Sequence, residues 1–364
     1  GGGGDDDDPS VFVPPVGPGG DGGDDDDGLD GPLVDDDGDD GDDGAPDGDG
    51  AADVVLFEGN VEGDPGPVKG RFTGNTAIED AIGASDEYDI ISVGPRDYGE
   101  PPRALRPEFP ELPTENVALQ VNTKGTKLIG PNEGIPGDEH QTSYEAVIKN
   151  PLLIEADNVN FVTIDGETRE YEPDEWMNLP EFGWTRDTPL EDFTSGSKAD
   201  DLSDVTVDGL TLDSKFLDLT RGAHQTMLEI SDGTSDVTVK NNIVRNGSGG
   251  DDGKGILVGD SGGSSVGPEK ITIMDNDISG FGTGVDVIAS LQKLEDVTVE
   301  GNKFSYNDSG IGIFEFWDKS VLLGSVDIKG NTFEASNQTA ISIGADPFGD
   351  NSITIEDNVF EELD

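Results

Sequence analysis

The sequence predicts an all-β chain wound as a β-solenoid, with a short helix before it and an acidic tail before that. Three observations lead there: a repeat near 29 residues, an apolar β-branched strand opening each copy, and one Asn in strict phase. Ser235-Asp-Val-Thr-Val, Lys270-Ile-Thr-Ile, Glu295-Asp-Val-Thr-Val, Ser325-Val-Asp-Ile and Ser352-Ile-Thr-Ile align. Counting an earlier copy, the first apolar positions are Val205, Val237, Ile271, Val297, Val326 and Ile353, at intervals of 32, 34, 26, 29 and 27. Five residues past each anchor stand Asn242, Asn276, Asn302, Asn331 and Asn358, with Leu210 in the first copy. Stacked strands about 4.8 Å apart place such residues in one column, where amide side chains hydrogen-bond along the stack. A propeller or sandwich predicts no such column.

Residues 1–53 hold 20 Asp, 16 Gly and 6 Pro with no Lys, Arg or Glu. With so little apolar surface to offset the entropy of ordering, this tail is expected to be disordered, a tether of the kind that holds an exported protein at a surface. Its start at Gly1 suggests a trimmed targeting segment, although an engineered start has the same appearance. One apolar run interrupts it at Ser10-Val11-Phe12-Val13-Pro-Pro-Val16. Val11, Phe12 and Val13 are candidates for strand donation to a neighbour, against the plainer reading of a linker blip.

Residues 54–116 are read as an N-terminal cap. Thr76-Ala-Ile-Glu-Asp-Ala-Ile predicts a helix over 76–84, with Thr76 and Glu79 as a capping box. Ile90-Ile-Ser-Val then begins the strands. Less regular coils are expected at Ala118 to Ile129, Ala146 to Ile154 and Phe161 to Gly166, because Val162-Thr-Ile-Asp-Gly matches Val205-Thr-Val-Asp-Gly. An insertion over 167–201 separates those two. Beyond it a second strand recurs out of phase at Leu228/Ile230, Ile256/Val258, Val285/Val287, Ile311/Ile313 and Ile341/Ile343. About eight to nine coils are expected over 117–364.

With these repeats in hand, the chain resembles the right-handed parallel β-helix proteins, a broad family that includes pectate lyases, polygalacturonases and many surface proteins. The resemblance covers roughly residues 76–364 and is specific for fold rather than activity. It implies a groove along the sheet of the second strand, flanked by the variable loops. Alternation then points Glu229, Leu257, Asp286, Gly312 and Ser342 outward. Glu229 and Asp286, two coils or roughly 9–10 Å apart, are the candidate catalytic carboxylates of an inverting hydrolase. In a chain this acidic, chance also supplies such pairs. The lyase pattern of the resembled enzymes needs a base and carboxylate-bound Ca²⁺. Asp251, Asp252 and Asp260 with Lys254 or Arg245 match that in composition alone, and a solvated loop explains them equally.

The insertion carries Tyr171, Trp176, Phe182, Trp184 and Phe193 beside carboxylates, as sugar rings require, or as a long loop requires to pin itself down. His140 and His224, the two histidines, lack a third ligand at zinc spacing. Gly249-Gly-Asp-Asp-Gly-Lys-Gly fails as a phosphate loop, and Asp47 through Glu58 fails as an EF-hand because Ala51 and Ala52 fill ligand and turn positions. Asn246, Asn307 and Asn337 head glycosylation sequons.

The formal charge of −59 makes nucleic acid and anionic membrane improbable direct partners. After the tail, 60 acids still face 21 bases, an excess suited to hydration in molar salt and hence to a halophile. Absence of Cys excludes disulfides, and no apolar run approaches a membrane span. The expected function is a non-catalytic extracellular scaffold at a cell or virion surface, acting in adhesion, glycan binding or assembly. It needs no cofactor, with Ca²⁺ the one metal its loops suit. A polysaccharide lyase or hydrolase is the rival reading, and a subunit that self-assembles through its N-terminal strand is the third.

Overall fold

The computed structural model describes residues 53–99, 103–104, 114–115, 118–141, 144–156, 158–164, 167–171, 193–199, 202–216, 226–231, 233–247, 253–259, 267–289, 294–315, 324–334, 339–344 and 352–361. The tail residues Val11, Phe12 and Val13 lie outside them. Three parallel sheets run along the solenoid. The anchor sheet stacks Thr206–Asp208, Thr238–Lys240, Glu269–Met274, Glu295–Glu300, Ser325–Lys329 and Ser352–Glu356 in register. A short-strand sheet stacks Thr211–Asp213, Ile243–Arg245, Asp277–Ser279, Lys303–Ser305, Thr332–Glu334 and Val359–Phe360. The third sheet, seven-stranded among the described residues, carries Thr226–Ile230, Lys254–Val258, Thr283–Ala289, Ser309–Glu315 and Thr339–Gly344.

Each regular coil thus contributes one strand to each sheet, and alternate residues face a shared interior. Val207, Val239, Ile273, Val299 and Ile328 are fully buried there, as are Leu228, Ile256, Val285 and Ile311. These β-branched and aliphatic columns stack on their own kind from coil to coil, so burial and register are set by the same residues.

The corner between the first two strands has a two-residue code. Gly209, Asn241, Asp275, Gly301, Gly330 and Asp357 occupy one position in successive coils, with φ between +54° and +70°. Gly, Asn and Asp are the residues that accept this left-handed conformation at least cost. The Asn column follows directly. The Asn242 backbone N–H and Nδ2 donate to Asn276 Oδ1 at 2.9 and 3.0 Å, and Asn276 donates likewise to Asn302, Asn302 to Asn331, and Asn331 to Asn358. Each Nδ2 also reaches a strand carbonyl: Val207, Val239, Ile273, Val299 and Ile328 in turn. The first copy lacks the Asn, and there the Leu210 N–H donates to Asn242 Oδ1 at 3.0 Å.

Several expectations are corrected. Between Val205 and Ile353 the winding makes five regular turns, and from Lys127 onward the anchor sheet holds seven parallel rungs among the described residues, slightly fewer than eight to nine coils. Strands at Ile90–Val93, Lys127–Ile129 and Val147–Ile148 join the parallel stacks ahead of them, at less regular spacing along the chain. The match at Val162 is not a coil. Asn158–Ile164 pairs antiparallel with Glu167–Tyr171 and Phe193–Ala199 in a separate three-stranded sheet. A β-branched strand pattern specifies a pleated surface and leaves the direction of its partner open.

At the N-terminal end, Val54–Phe57 pairs antiparallel with Val68–Phe72 and Ile90–Val93, and the helix Ala77–Gly83 buries Ala77, Ile78, Ala81 and Ile82. Thr76 does not form a capping box. Its φ of −93° and ψ of 4° turn the hydroxyl away from the helix amides, and it donates to Asp80 Oδ2 at 3.1 Å instead.

Candidate functional site: the outer face of the seven-stranded sheet

The outward column of this sheet follows from its register. Glu229 pairs with Leu257, Leu257 with Asp286, Asp286 with Gly312, and Gly312 with Ser342. Glu229 and Asp286 therefore lie two rungs apart with Leu257 between them, and they make no direct contact by register. Glu229 is half-buried, whereas Asp286 is 4% exposed.

The residue that meets Asp286 is Lys254, whose Nζ lies 2.7 Å from Asp286 Oδ2. Lys254 sits on the neighbouring rung, opposite Thr283 rather than in the carboxylate column, and its long side chain crosses to reach the acid. A base thus enters the column that the sequence leaves without one. Burial pushes the Asp286 carboxyl above the usual carboxylate range, and the Lys254 ammonium opposes this without cancelling it.

Removing that ammonium has a signed consequence. A carboxyl with a raised folded-state pKa makes folding less favourable while ionised, and the penalty is relieved as pH falls through the raised value toward the unfolded value near 3.8. Lys254→Met is expected to lose about 3 kcal/mol at about pH 8, where the buried charge is unpaired, and to lose less at about pH 5, nearer the unfolded value. Urea midpoints at both pH values check this, and an equal loss at the two would contradict it.

Asp286 Oδ1, on the other side of the carboxylate, is buried without a hydrogen-bond partner among the described residues. It faces Gly312, where a Cβ would stand 2.9 Å from that oxygen and 2.6 Å from Phe314 Cε2. A Cβ on Gly344, one rung further, would stand 2.8 Å from Phe314 Cδ1. The Phe314 ring therefore rests against two glycines, half-buried, beside the Lys254–Asp286 pair. Phe314 was not among the candidates read from the sequence; its signal is an outward ring with Gly at 312 and 344 around it.

Among the remaining candidates, Trp176, Trp184, Asp251, Asp252, Asp260 and Asn337 lie outside the described residues. Tyr171 ends a described strand, its backbone opposite Asn160. Asn307 is overturned as a glycan acceptor: it is fully buried, its Oδ1 accepts the Phe281 N–H, and its Nδ2 donates to Ile278 O, both at 2.9 Å. Asn246 is half-buried, and its amide donates to Gly280 O at 2.8 Å while accepting from the Ser214 hydroxyl. Both act at a second corner, where a side-chain amide satisfies turn backbone groups. No group of three or more His, Asp or Glu among the described residues is placed to hold a metal ion.

Residues 228–364 match the family model described as "Right handed beta helix region". Among solved structures the chain is similar to ORF18 of Geobacillus virus E2, at 9% identity and a TM-score of 0.27, over 79% of this chain and 57% of that one. It is also similar to PfbA, a surface adhesin of Streptococcus pneumoniae, at 13% identity and a TM-score of 0.31, over 80% of this chain and 78% of that one. The chain thus spans little more than half the length of the viral protein. No curated protein matches it.

Proposed function

We propose that this chain, whose residues 228–364 match the right-handed β-helix family model, is a non-catalytic extracellular scaffold of a salt-loving organism that binds glycan on the outer face of its seven-stranded sheet. One observation carries the reading: the Phe314 ring seated on Gly312 and Gly344, with the Lys254–Asp286 pair beside it. A flat ring offers an apolar face to the C–H face of a sugar, while the partly exposed Lys254 ammonium, held in place by Asp286, offers donors to its hydroxyls. A carboxylate already neutralised and buried by Lys254 suits recognition better than attack on a glycosidic bond.

The acid-rich surface supports the habitat part. Many of the described bases pair with an acid on the adjoining rung: Lys240 with Asp208, Arg245 with Asp213, Lys270 with Asp236, Lys303 with Glu334 and Lys329 with Glu300. That leaves the unpaired acids to dominate the outer surface. Among the described residues no helix is long and apolar enough to cross a membrane.

Binding to neutral and acidic oligosaccharides, measured by calorimetry at 0.1 and 3 M NaCl, tests the reading. Phe314→Ala is expected to weaken binding about tenfold, the size of one stacking contact, with the unfolding midpoint little changed. Unaltered affinity would remove the glycan site. The rival enzymatic reading draws on the raised protonation of Asp286, a property of a general acid. Release of products from acidic polysaccharides with and without Ca²⁺, abolished by Glu229→Gln and Asp286→Asn, would replace the scaffold by that enzyme.

A further inference from the structure

After the anchor-sheet strand Lys127–Ile129, residues 130–141 leave the solenoid and cross the left-handed corners of three successive rungs before the chain returns at Val147. The Asn132 N–H donates to Gly209 O at 3.4 Å, the Gly137 N–H to Asp275 O at 2.9 Å, and His140 Nε2 lies 2.7 Å from Asn241 O. A fourth tie runs from the Gly134 N–H to Asp208 Oδ1 at 3.1 Å. Contact is close at both ends, where a Cβ on Gly130 would stand 2.1 Å from Gly209 O and one on Gly137 2.4 Å from Asn242 O and 2.6 Å from Asp277 N. Only backbone approaches that closely, so this segment is a fitted strap rather than a loop lying on the surface.

The electrostatics work against the fit. Exposed Asp138, at the tip of the strap, faces Asp275 and Asp277 on the solenoid, with Glu300 and Glu334 behind them. Glu139 adds a further acid on the strap itself. Lys240 and Lys303 face the same cluster and are shared with Asp208 and Glu334. His140 sits beside Asp277, and Nδ1 of the one and Oδ1 of the other are both buried without a hydrogen bond. Glu145 Oε1 and Thr211 Oγ1, where the strap returns, are in the same condition. His140 Nδ1 and Asp277 Oδ1 are thus two of the six such atoms among the described residues, and hydration on opening of the strap would satisfy both.

We infer that residues 130–141 form a salt-operated strap: docked on the corners when ionic strength screens Asp138 from Asp275 and Asp277, released when it does not. The charges at the tip are exposed or half-buried, so they respond to ionic strength. The screening length falls from about 10 Å at 0.1 M to about 3 Å at 1 M. Partial protonation of Asp275 and Asp277, whose carboxyls burial and Asp138 hold above the usual range, acts in the same direction as salt.

Hydrogen exchange of the Gly134 and Gly137 amides tests this, with the Asn302 amide inside the Asn column as internal reference. Raising NaCl from 0.1 to 2 M is expected to slow exchange of the two strap amides about fivefold relative to the reference, as expected for relief of a few exposed like-charge contacts. Asp138→Asn, a surface change, is expected to give the slow rate already at 0.1 M. Tetramethylammonium chloride, which carboxylates do not chelate, is expected to act like NaCl. Rates independent of salt, or an unchanged salt response in Asp138→Asn, overturn the strap. A response to Na⁺ without one to tetramethylammonium overturns screening in favour of a bound cation.

Discussion

Asn302→Ala is expected to lower the unfolding free energy by about 4 kcal/mol or to prevent folding of the regular coils. Asn302 is 1% exposed. Its Oδ1 accepts both the backbone N–H and the Nδ2 of Asn276, and its Nδ2 lies 2.9–3.1 Å from Ile273 O, Glu300 O and Asn331 Oδ1. Alanine removes the side chain and leaves these donors and acceptors unpaired in a buried site. Each orphaned group costs about 1–3 kcal/mol, so several at once exceed an ordinary core truncation. Asn302→Asp separates the two halves of the role, because a carboxylate still accepts from Asn276 but cannot donate to Ile273 O. It should remain severely destabilised. Asn358→Ala, at the last described coil and half-buried, should cost about 1 kcal/mol. A solenoid couples each coil to its neighbours, so loss at position 302 should also split the unfolding transition, the coils from Val326 onward melting first. Denaturant curves and exchange of the Asn276 and Asn331 amides check both statements. A loss below 2 kcal/mol at Asn302 would mean that water or backbone relaxation replaces the column.

The phase of this column was the most legible feature of the sequence, for a physical reason. An Asn whose donor and acceptor are both engaged by adjacent coils tolerates neither a shift nor a substitution, so its spacing survives where loops vary. The left-handed residue before it was not read, although Gly, Asn, Asp, Gly, Gly and Asp at one offset are the types that accept positive φ. Val162 misled because Val-Thr-Ile-Asp-Gly suits an antiparallel hairpin strand as well as a parallel rung. Thr76 and Glu79 have the capping spacing, and the backbone at Thr76 defeats it. The candidate site was half readable. Alternation placed Glu229 and Asp286 in one outward column, but the partner of Asp286 is a lysine from another position that reaches it by side-chain length. Phe314 needed the register that sets Gly344 opposite it on the next rung, with Gly312 two residues before it on its own strand.

The glycines on the inner side of the same strands support the second large prediction. Gly284→Val is expected to cost about 3 kcal/mol or more. Its backbone is not in the left-handed region, so the cost is steric rather than conformational. A Cβ there would stand 2.8 Å from Phe304 Cδ1 and 2.7 Å from Gly310 O. Phe304 cannot move freely aside, because its ring is stacked on Phe333 at 5.0 Å and Phe333 on Phe360 at 5.2 Å, each pair within 8° of parallel. The pattern repeats one rung on, where a Cβ on Gly310 would meet Phe333 at 2.6 Å. Glycines on one sheet thus leave the space that an aromatic stack on the adjoining sheet fills, and overpacking such an interior typically costs about 1–3 kcal/mol before any backbone clash is added. Phe304→Leu should restore part of the loss when combined with Gly284→Val, because it vacates the ring edge while the contact with Gly310 O persists. A double-mutant cycle from denaturant unfolding then gives a coupling energy of about 1 kcal/mol. Strict additivity of the two changes would show that the carbonyl contact alone excludes a side chain at Gly284, and a Gly284→Val protein as stable as the parent would show that the coil spacing is soft enough to accommodate one.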